Sequence, residues 1–141
     1  KVKGKDIFID TSAFVAFRVA DDDNHDEAQD FLKEIQTKRL RIHTTNFILD
    51  EVYTYFCRFH AVAVEMAELI KNNPLITLHR VSAEDEEKAF EILKQYGDKG
   101  FSFTDATSFT VMERLGLTNA FAFDEHFSQY GRFAVLPVGR K

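Results

Sequence analysis

The chain has no tryptophan, one cysteine and only two prolines among its 141 residues. A lone Cys57 excludes an internal disulfide. It falls in an apolar helical pattern and is read as a small core filler in a reducing cytoplasm. Prolines occur only at positions 74 and 137, and no Gly-, Ser- or Pro-rich linker, repeat or low-complexity stretch is present. Residues 1–141 are therefore read as a single domain, a normal size for one core. No apolar run approaches the roughly 18 residues that a membrane span needs. The opening KVKGKDIFID holds too short an apolar stretch for a secretory signal. An excess of basic charge is also missing: 18 Lys and Arg face 23 Asp and Glu, a net charge of −5. That balance argues against a general nucleic-acid binder. Positive charge does gather locally, at Lys33, Lys38, Arg39 and Arg41 and again at Arg132, Arg140 and Lys141. Each cluster reads equally well as a phosphate contact or as a solvated helix end or tail.

What the chain has instead is phenylalanine, 15 copies within a 45% apolar composition. DIFI (6–9) reads as a first strand, followed by a short helix capped by Thr11 or Ser12. Asp23 or Asn24 caps a second helix, in which Ala28, Phe31, Leu32 and Ile35 have helical spacing. RLRIHT is a second strand. Asn46 caps a helix that breaks near Arg58–His60, resumes, and stops at Pro74. LITLH (75–79) is a third strand. Ser82 caps a helix with Ala89, Phe90 and Leu93 inward. YGDKG is a loop. Thr104 caps a helix with Phe109, Met112 and Leu115 on one face, ended by Gly116. NAFAF is a strand, EHFSQYG a short helix or turn, and FAVLPV the last strand. Strands separated by helices predict an α/β fold with a mainly parallel sheet. Right-handed crossovers place helices on both sides, a three-layer α/β/α arrangement.

Four acids stand where apolar runs end or are interrupted: Asp10, Glu51, Asp105 and Asp124. Ionised carboxylates are costly to desolvate unless paired or bound to a cation. Four converging would make a hard, oxygen-rich site suited to Mg²⁺ or Mn²⁺. Asp10 and Asp124 follow strands and belong at the carboxyl edge of a parallel sheet, where ligands bind. Taken singly, each acid also reads as a helix cap or a first-turn acid. Two of these acids have acidic neighbours that compete for the role: Asp50 beside Glu51, and Glu125 beside Asp124. Helical spacing groups Glu51 with Phe47, Ile48 and Tyr55 on the inward side and leaves Asp50 on a more exposed flank. His126, two residues beyond Asp124, reads as packed or solvent-facing, with a phosphate contact as the alternative. The other histidines lack zinc spacing.

The pieces FIDTSAFVA (8–16), TTNFILDEVYTYF (44–56), SFTDATSFTVMERLGL (102–117) and AFAFDEHF (120–127) carry a resemblance. In this order and with these neighbours, the chain resembles the PIN-domain ribonucleases. Within them it looks like the toxin ribonucleases of bacterial and archaeal type II toxin–antitoxin pairs. The resemblance implies that Asp10, Glu51, Asp105 and Asp124 converge as metal ligands and catalytic acids. It also implies supporting roles for Ser12, beside Asp10, and Thr104, beside the third acid. Asp98 in YGDKG is an additional acidic candidate.

The implied activity is Mg²⁺-dependent hydrolysis of RNA phosphodiesters, with Mn²⁺ as substitute, on a tRNA, rRNA or mRNA substrate. The implied partner is a small cognate antitoxin. YTYFCRFHAVAVEMAELI (53–70) holds more apolar positions than one narrow stripe buries, which predicts a homodimer and a helical groove for that antitoxin. Two packed helices sharing one core are the alternative. A phosphatase reading meets DTSAF where a DxDxT nucleophile motif is needed. A non-catalytic RNA- or protein-binding scaffold of the same fold remains the other reading.

Overall fold

A computed structural model describes residues 4–138. Ile7, Phe8 and Ile9 are all buried in β1 (Asp6–Ile9), as a strand covered on both faces requires. From there the chain alternates: α1 (Thr11–Arg18), α2 (His25–Lys38), β2 (Arg41–Thr45), α3 (Asn46–Phe56), α4 (His60–Asn72), β3 (Ile76–His79), α5 (Ala83–Gln95), α6 (Phe103–Leu115), β4 (Asn119–Phe121), α7 (His126–Tyr130) and β5 (Ala134–Leu136). The five strands form one sheet in the order β3-β2-β1-β4-β5, and every pairing is parallel. The architecture is a three-layer α/β/α domain.

Strand order fixes where a ligand can sit. The chain builds outward from β1 through β2 to β3, then returns to place β4 on β1's other side. The reversal lies between β1 and β4, and a crevice opens beyond their carboxyl ends at such a switch. Phe8 pairs with Ala120 and Ile9 with Phe121, so Asp10 emerges into that crevice.

Sequence periodicity located the elements, while several local assignments are corrected. Asp10 itself caps α1, its carboxylate accepting from the Ser12 N–H, so neither Thr11 nor Ser12 is the cap. Asn24 occupies the α2 cap position without a side-chain bond. Thr45 caps α3, and Asn46, inside the helix, accepts from the Val81 N–H instead. Ser102, not Thr104, caps α6 in a capping box with Asp105. Cys57 is exposed. The buried stripe of α3 is Ile48, Val52 and Phe56, spaced by four, and the next residue rotates off it. Phe90 is likewise exposed, with Lys94 over its ring, because Asp85 and Ala89 define the inward line of α5.

Three of the five described residues of the basic clusters are paired with acids. Lys38 pairs with Glu34, Arg41 with Asp6 and Arg132 with Glu113. Arg41 begins β2, at the sheet edge opposite the crevice. Arg140 and Lys141 lie outside the described residues. Among the described residues no helix is long and apolar enough to cross a membrane.

Candidate active site

The crevice opens as a cleft of about 700 Å³, lined in part by Thr11, Ser12, Glu51, Ser102, Asp105, Asp124 and His126. Each acid reaches it from a different element. Asp10 ends β1 and is almost fully buried. Glu51 is in the second turn of α3, half-buried. Asp105 is the third residue of α6, a helix buried along most of its length. Asp124 follows β4 after the short Ala122–Phe123 link.

Short-range bonds orient these side chains. The Ser12 hydroxyl donates to Asp10 Oδ2 at 2.8 Å, and the Ser12 N–H approaches the same oxygen at 3.3 Å. Ser12 Oγ in turn accepts from the Phe123 N–H at 2.9 Å, tying the exit of β4 to the exit of β1. The Thr11 hydroxyl donates to Glu51. Asp105 accepts from the Ser102 N–H through Oδ2 (3.0 Å), and its own N–H donates to Ser102 Oγ (2.9 Å). Asp124 Oδ1 accepts from the His126 N–H at 3.0 Å. Ser12 engages Oδ2 of Asp10 and Ser102 engages Oδ2 of Asp105. Oδ1 of each has no hydrogen-bond partner among the described residues.

His126 enters this group, contrary to its reading as a packing or solvent-facing residue. Its ring does pack edge-on against Phe101, at 5.6 Å between centroids. Yet its Nδ1 lies 2.7 Å from Asp105 Oδ2. That nitrogen is buried and lacks the geometry of a true hydrogen bond. Donor atoms of Asp105, Asp124 and His126 all lie within 4.8 Å of one another. Only the Asp-x-His spacing could have hinted at this, because the Asp105 contact depends on how α7 folds back towards α6.

The remaining candidates are placed differently. Asp50 and Glu125 are exposed. Asp98 is exposed on the α5–α6 loop, 4.0 Å from Lys99, and is not among the described residues lining the cleft. Thr104 lies in the first turn of α6, where its carbonyl accepts from the Thr107 hydroxyl. Tyr55, expected on the inward side with Glu51, is 59% exposed and forms part of the cleft wall.

Electrostatics explain what the cluster lacks. Burial, then the charges of Asp124 and Asp105, push the Asp10 carboxyl up to about 8, against the bonds from Ser12. Burial also raises Glu51, with Asp105 and Asp124 adding to it and Thr11 opposing. Asp124 is raised by burial first and by Asp105, while the His126 N–H opposes. These are carboxylates held close with too few positive partners. A bound cation would relieve the repulsion. Oxygen donors with one imidazole suit a divalent ion, and the unsatisfied Nδ1 of His126 is an atom such an ion would engage. The residues present therefore fit a metal centre.

A parallel α/β sheet that gathers carboxylates at its switch point defines the class, and comparison with known proteins names it. The chain matches the family described as PIN domain over residues 7–133, and it belongs to that family. It is closely related to VapC20-type toxin–antitoxin ribonucleases. It is 37% identical over 133 residues to the 23S rRNA-specific endonuclease VapC20 of Mycobacterium tuberculosis, covering 93% of this chain and 98% of the relative. It is 33% identical over 122 residues to a VapC ribonuclease of Archaeoglobus fulgidus, covering 85% and 78%. The crystal structure of M. tuberculosis VapC20, a sarcin–ricin loop cleaving toxin, superposes with a TM-score of 0.82 at 36% identity, covering 93% of this chain and 99% of that one. FitAcB of Neisseria gonorrhoeae shares the fold, at a TM-score of 0.68 and 12% identity, covering 93% and 96%.

Proposed function

We propose that the protein, as one domain over residues 1–141, is a Mg²⁺- or Mn²⁺-dependent endoribonuclease acting in the cytoplasm as the toxin of a toxin–antitoxin pair. The observation that carries this is the meeting of Asp105, Asp124 and His126 at the sheet's switch point, beside the buried Asp10. In this reading Asp10, Glu51, Asp105 and Asp124 are the catalytic acids and hold the cation, with His126 as a further donor. A cation bound there would polarise the phosphodiester and activate water for attack. The chain's own contribution is orientation. Ser12 and Ser102 each fix one oxygen of Asp10 and Asp105, and Thr11 holds Glu51 towards the cleft. Hydrolysis would leave a 5′-phosphate and a 3′-hydroxyl.

Likeness to a 23S rRNA-specific, sarcin–ricin loop cleaving enzyme favours a loop of ribosomal RNA over tRNA or mRNA as substrate. The partners are a small antitoxin and a second copy of this chain. The test is incubation with a structured cellular RNA pool, with Mg²⁺ or Mn²⁺ and with excess chelator, followed by mapping of the new ends. Metal-dependent cuts at a discrete site are expected. Full cleavage in chelator refutes the metal reading, and retention of RNA without cleavage favours a binding scaffold. Light scattering at micromolar concentration tests the dimer.

A further inference from the structure

Beside the acidic cleft runs a second groove, between the C-terminal end of α1 and the α3–α4 corner. Arg18, Tyr55, Arg58, Phe59 and Val62 line it. Tyr55 lines both, so the groove and the cleft adjoin at its side chain. Tyr55 follows Glu51 by one helical turn, which puts both on one face of α3.

Two large aromatic side chains are exposed here, Tyr55 at 59% and Phe59 at 67%. Tyr55 makes one ring contact among the described residues, edge-to-face with Phe56 at 4.9 Å and 79°. That contact covers at most one of its two faces. Two guanidiniums flank the aromatics. Arg58 is exposed and makes no ion pair among the described residues. Arg18 forms a surface pair with Glu65, its Nη2 donating to Glu65 Oε1 at 3.3 Å and its Nε lying 3.3 Å from Oε2. Exposed pairs of this kind are weak and exchange readily. Aromatic faces interleaved with cations are what a single-stranded nucleic acid needs: stacking for the bases and charge for the backbone. The carboxylate cleft repels phosphate on its own, so a substrate has to be gripped from its flank.

We propose that this groove holds the single-stranded RNA segment next to the scissile bond, with Tyr55 stacking the nearest base and Arg58 on a flanking phosphate. The proposal rests on the ribonuclease reading and assigns its substrate path. An apolar partner or a second copy would cover Phe59 equally well. It would also have to match the charge of Arg58, which has no ion pair among the described residues.

The test is fluorescence anisotropy of a labelled single-stranded RNA of a dozen nucleotides in chelator, where no cleavage competes. Wild type, Tyr55→Ala, Tyr55→Phe and Arg58→Ala are compared, each checked for an unchanged melt. Stacking of one base corresponds to about five- to 150-fold in affinity, so Tyr55→Ala should weaken binding by that factor. Tyr55→Phe keeps the ring and should stay within about twofold of wild type, since the platform is the π-face. Arg58→Ala should reduce the slope of log affinity against log salt by about 0.7, one single-stranded phosphate. Wild-type affinity in Tyr55→Ala, or equal loss in Tyr55→Phe, overturns the proposal. So does unchanged RNA binding in a Tyr55→Ala/Arg58→Ala protein whose mass by light scattering has halved, which assigns the groove to a second copy. If wild-type protein binds RNA through Tyr55 yet never cuts the structured cellular RNA pool with Mg²⁺ or Mn²⁺, the ribonuclease reading fails while the groove assignment stands.

Discussion

Replacing Asp10 by Asn should abolish cleavage and yet stabilise the metal-free protein. Asp10 is 2% exposed, and burial among other carboxylates pushes its pKa from 3.8 to about 8. In the unfolded chain the same group ionises near 3.8. A carboxyl whose folded pKa is raised contributes stability that is present below the unfolded value and lost as pH rises towards the folded one. At about 1.4 kcal/mol per pKa unit, the shift withholds up to about 4 kcal/mol at pH 7. Asparagine removes that loss. It also keeps the oxygen that accepts from Ser12 and remains a good helix cap. The expected gain is about 1–4 kcal/mol at pH 7 in chelator, shrinking towards zero near pH 4. Urea unfolding of both proteins from pH 4 to 8 measures it. With Mn²⁺ present the order should reverse, because wild type binds the ion and the variant does so poorly. Cleavage should fall at least about 10²-fold. A variant less stable than wild type in chelator at pH 7, or one that cuts normally, would refute the reasoning.

Asp105→Asn should also lose at least about 10²-fold in cleavage, whereas Asp50→Asn and Glu125→Gln, both exposed, should cut at the wild-type rate in the end-mapping assay. Loss of activity in Glu125→Gln with an intact fold would show that the wrong one of two adjacent acids was chosen. Asp85 is buried at the start of α5. It takes two bonds from Arg114 at 2.8 and 2.9 Å and closes the capping box with Ser82, so Asp85→Ala should cost about 2–3 kcal/mol in urea midpoints. Asp6 is held down to about 2, by the Arg41 guanidinium first and then by His43. Its folded pKa is depressed, so its contribution is present above about pH 4 and lost as pH falls towards about 2. Asp6→Asn should flatten acid unfolding in that window, and an unchanged acid midpoint would contradict this.

Element positions were legible in the sequence because local rules set them. The apolar run 6–9, the break before His60, Pro74 and the Ser82 cap each act over a few residues. Caps were less legible where hydroxyls cluster. In Ser102–Phe103–Thr104 two side chains compete, and the deciding fact is the distance to Asp105, which completes a box only with Ser102. The same carboxyl is therefore both cap partner and candidate site acid, a double use that spacing does not reveal. Tyr55 has the helical phase of Glu51 but faces a cleft instead of the core, since periodicity gives a direction and not what lies there. His126 reads as peripheral in the sequence for a similar reason. Its neighbour Asp105 is 21 positions away in the chain, and only the return of α7 brings them to 2.7 Å.

The bond from the Phe123 N–H to Ser12 spans 111 positions of sequence. It ties the segments that follow the first and fourth strands, so the carboxylates of Asp10 and Asp124 cannot meet until β4 has paired with β1. Contacts of such separation form late, after the entropy of a very long loop has been lost. Enzymatic competence should therefore report the completion of folding and not its onset. In a refolding experiment, helical signal should return before RNA cleavage does. A chain arrested before β4 would be helical, collapsed and harmless to the cell that makes it.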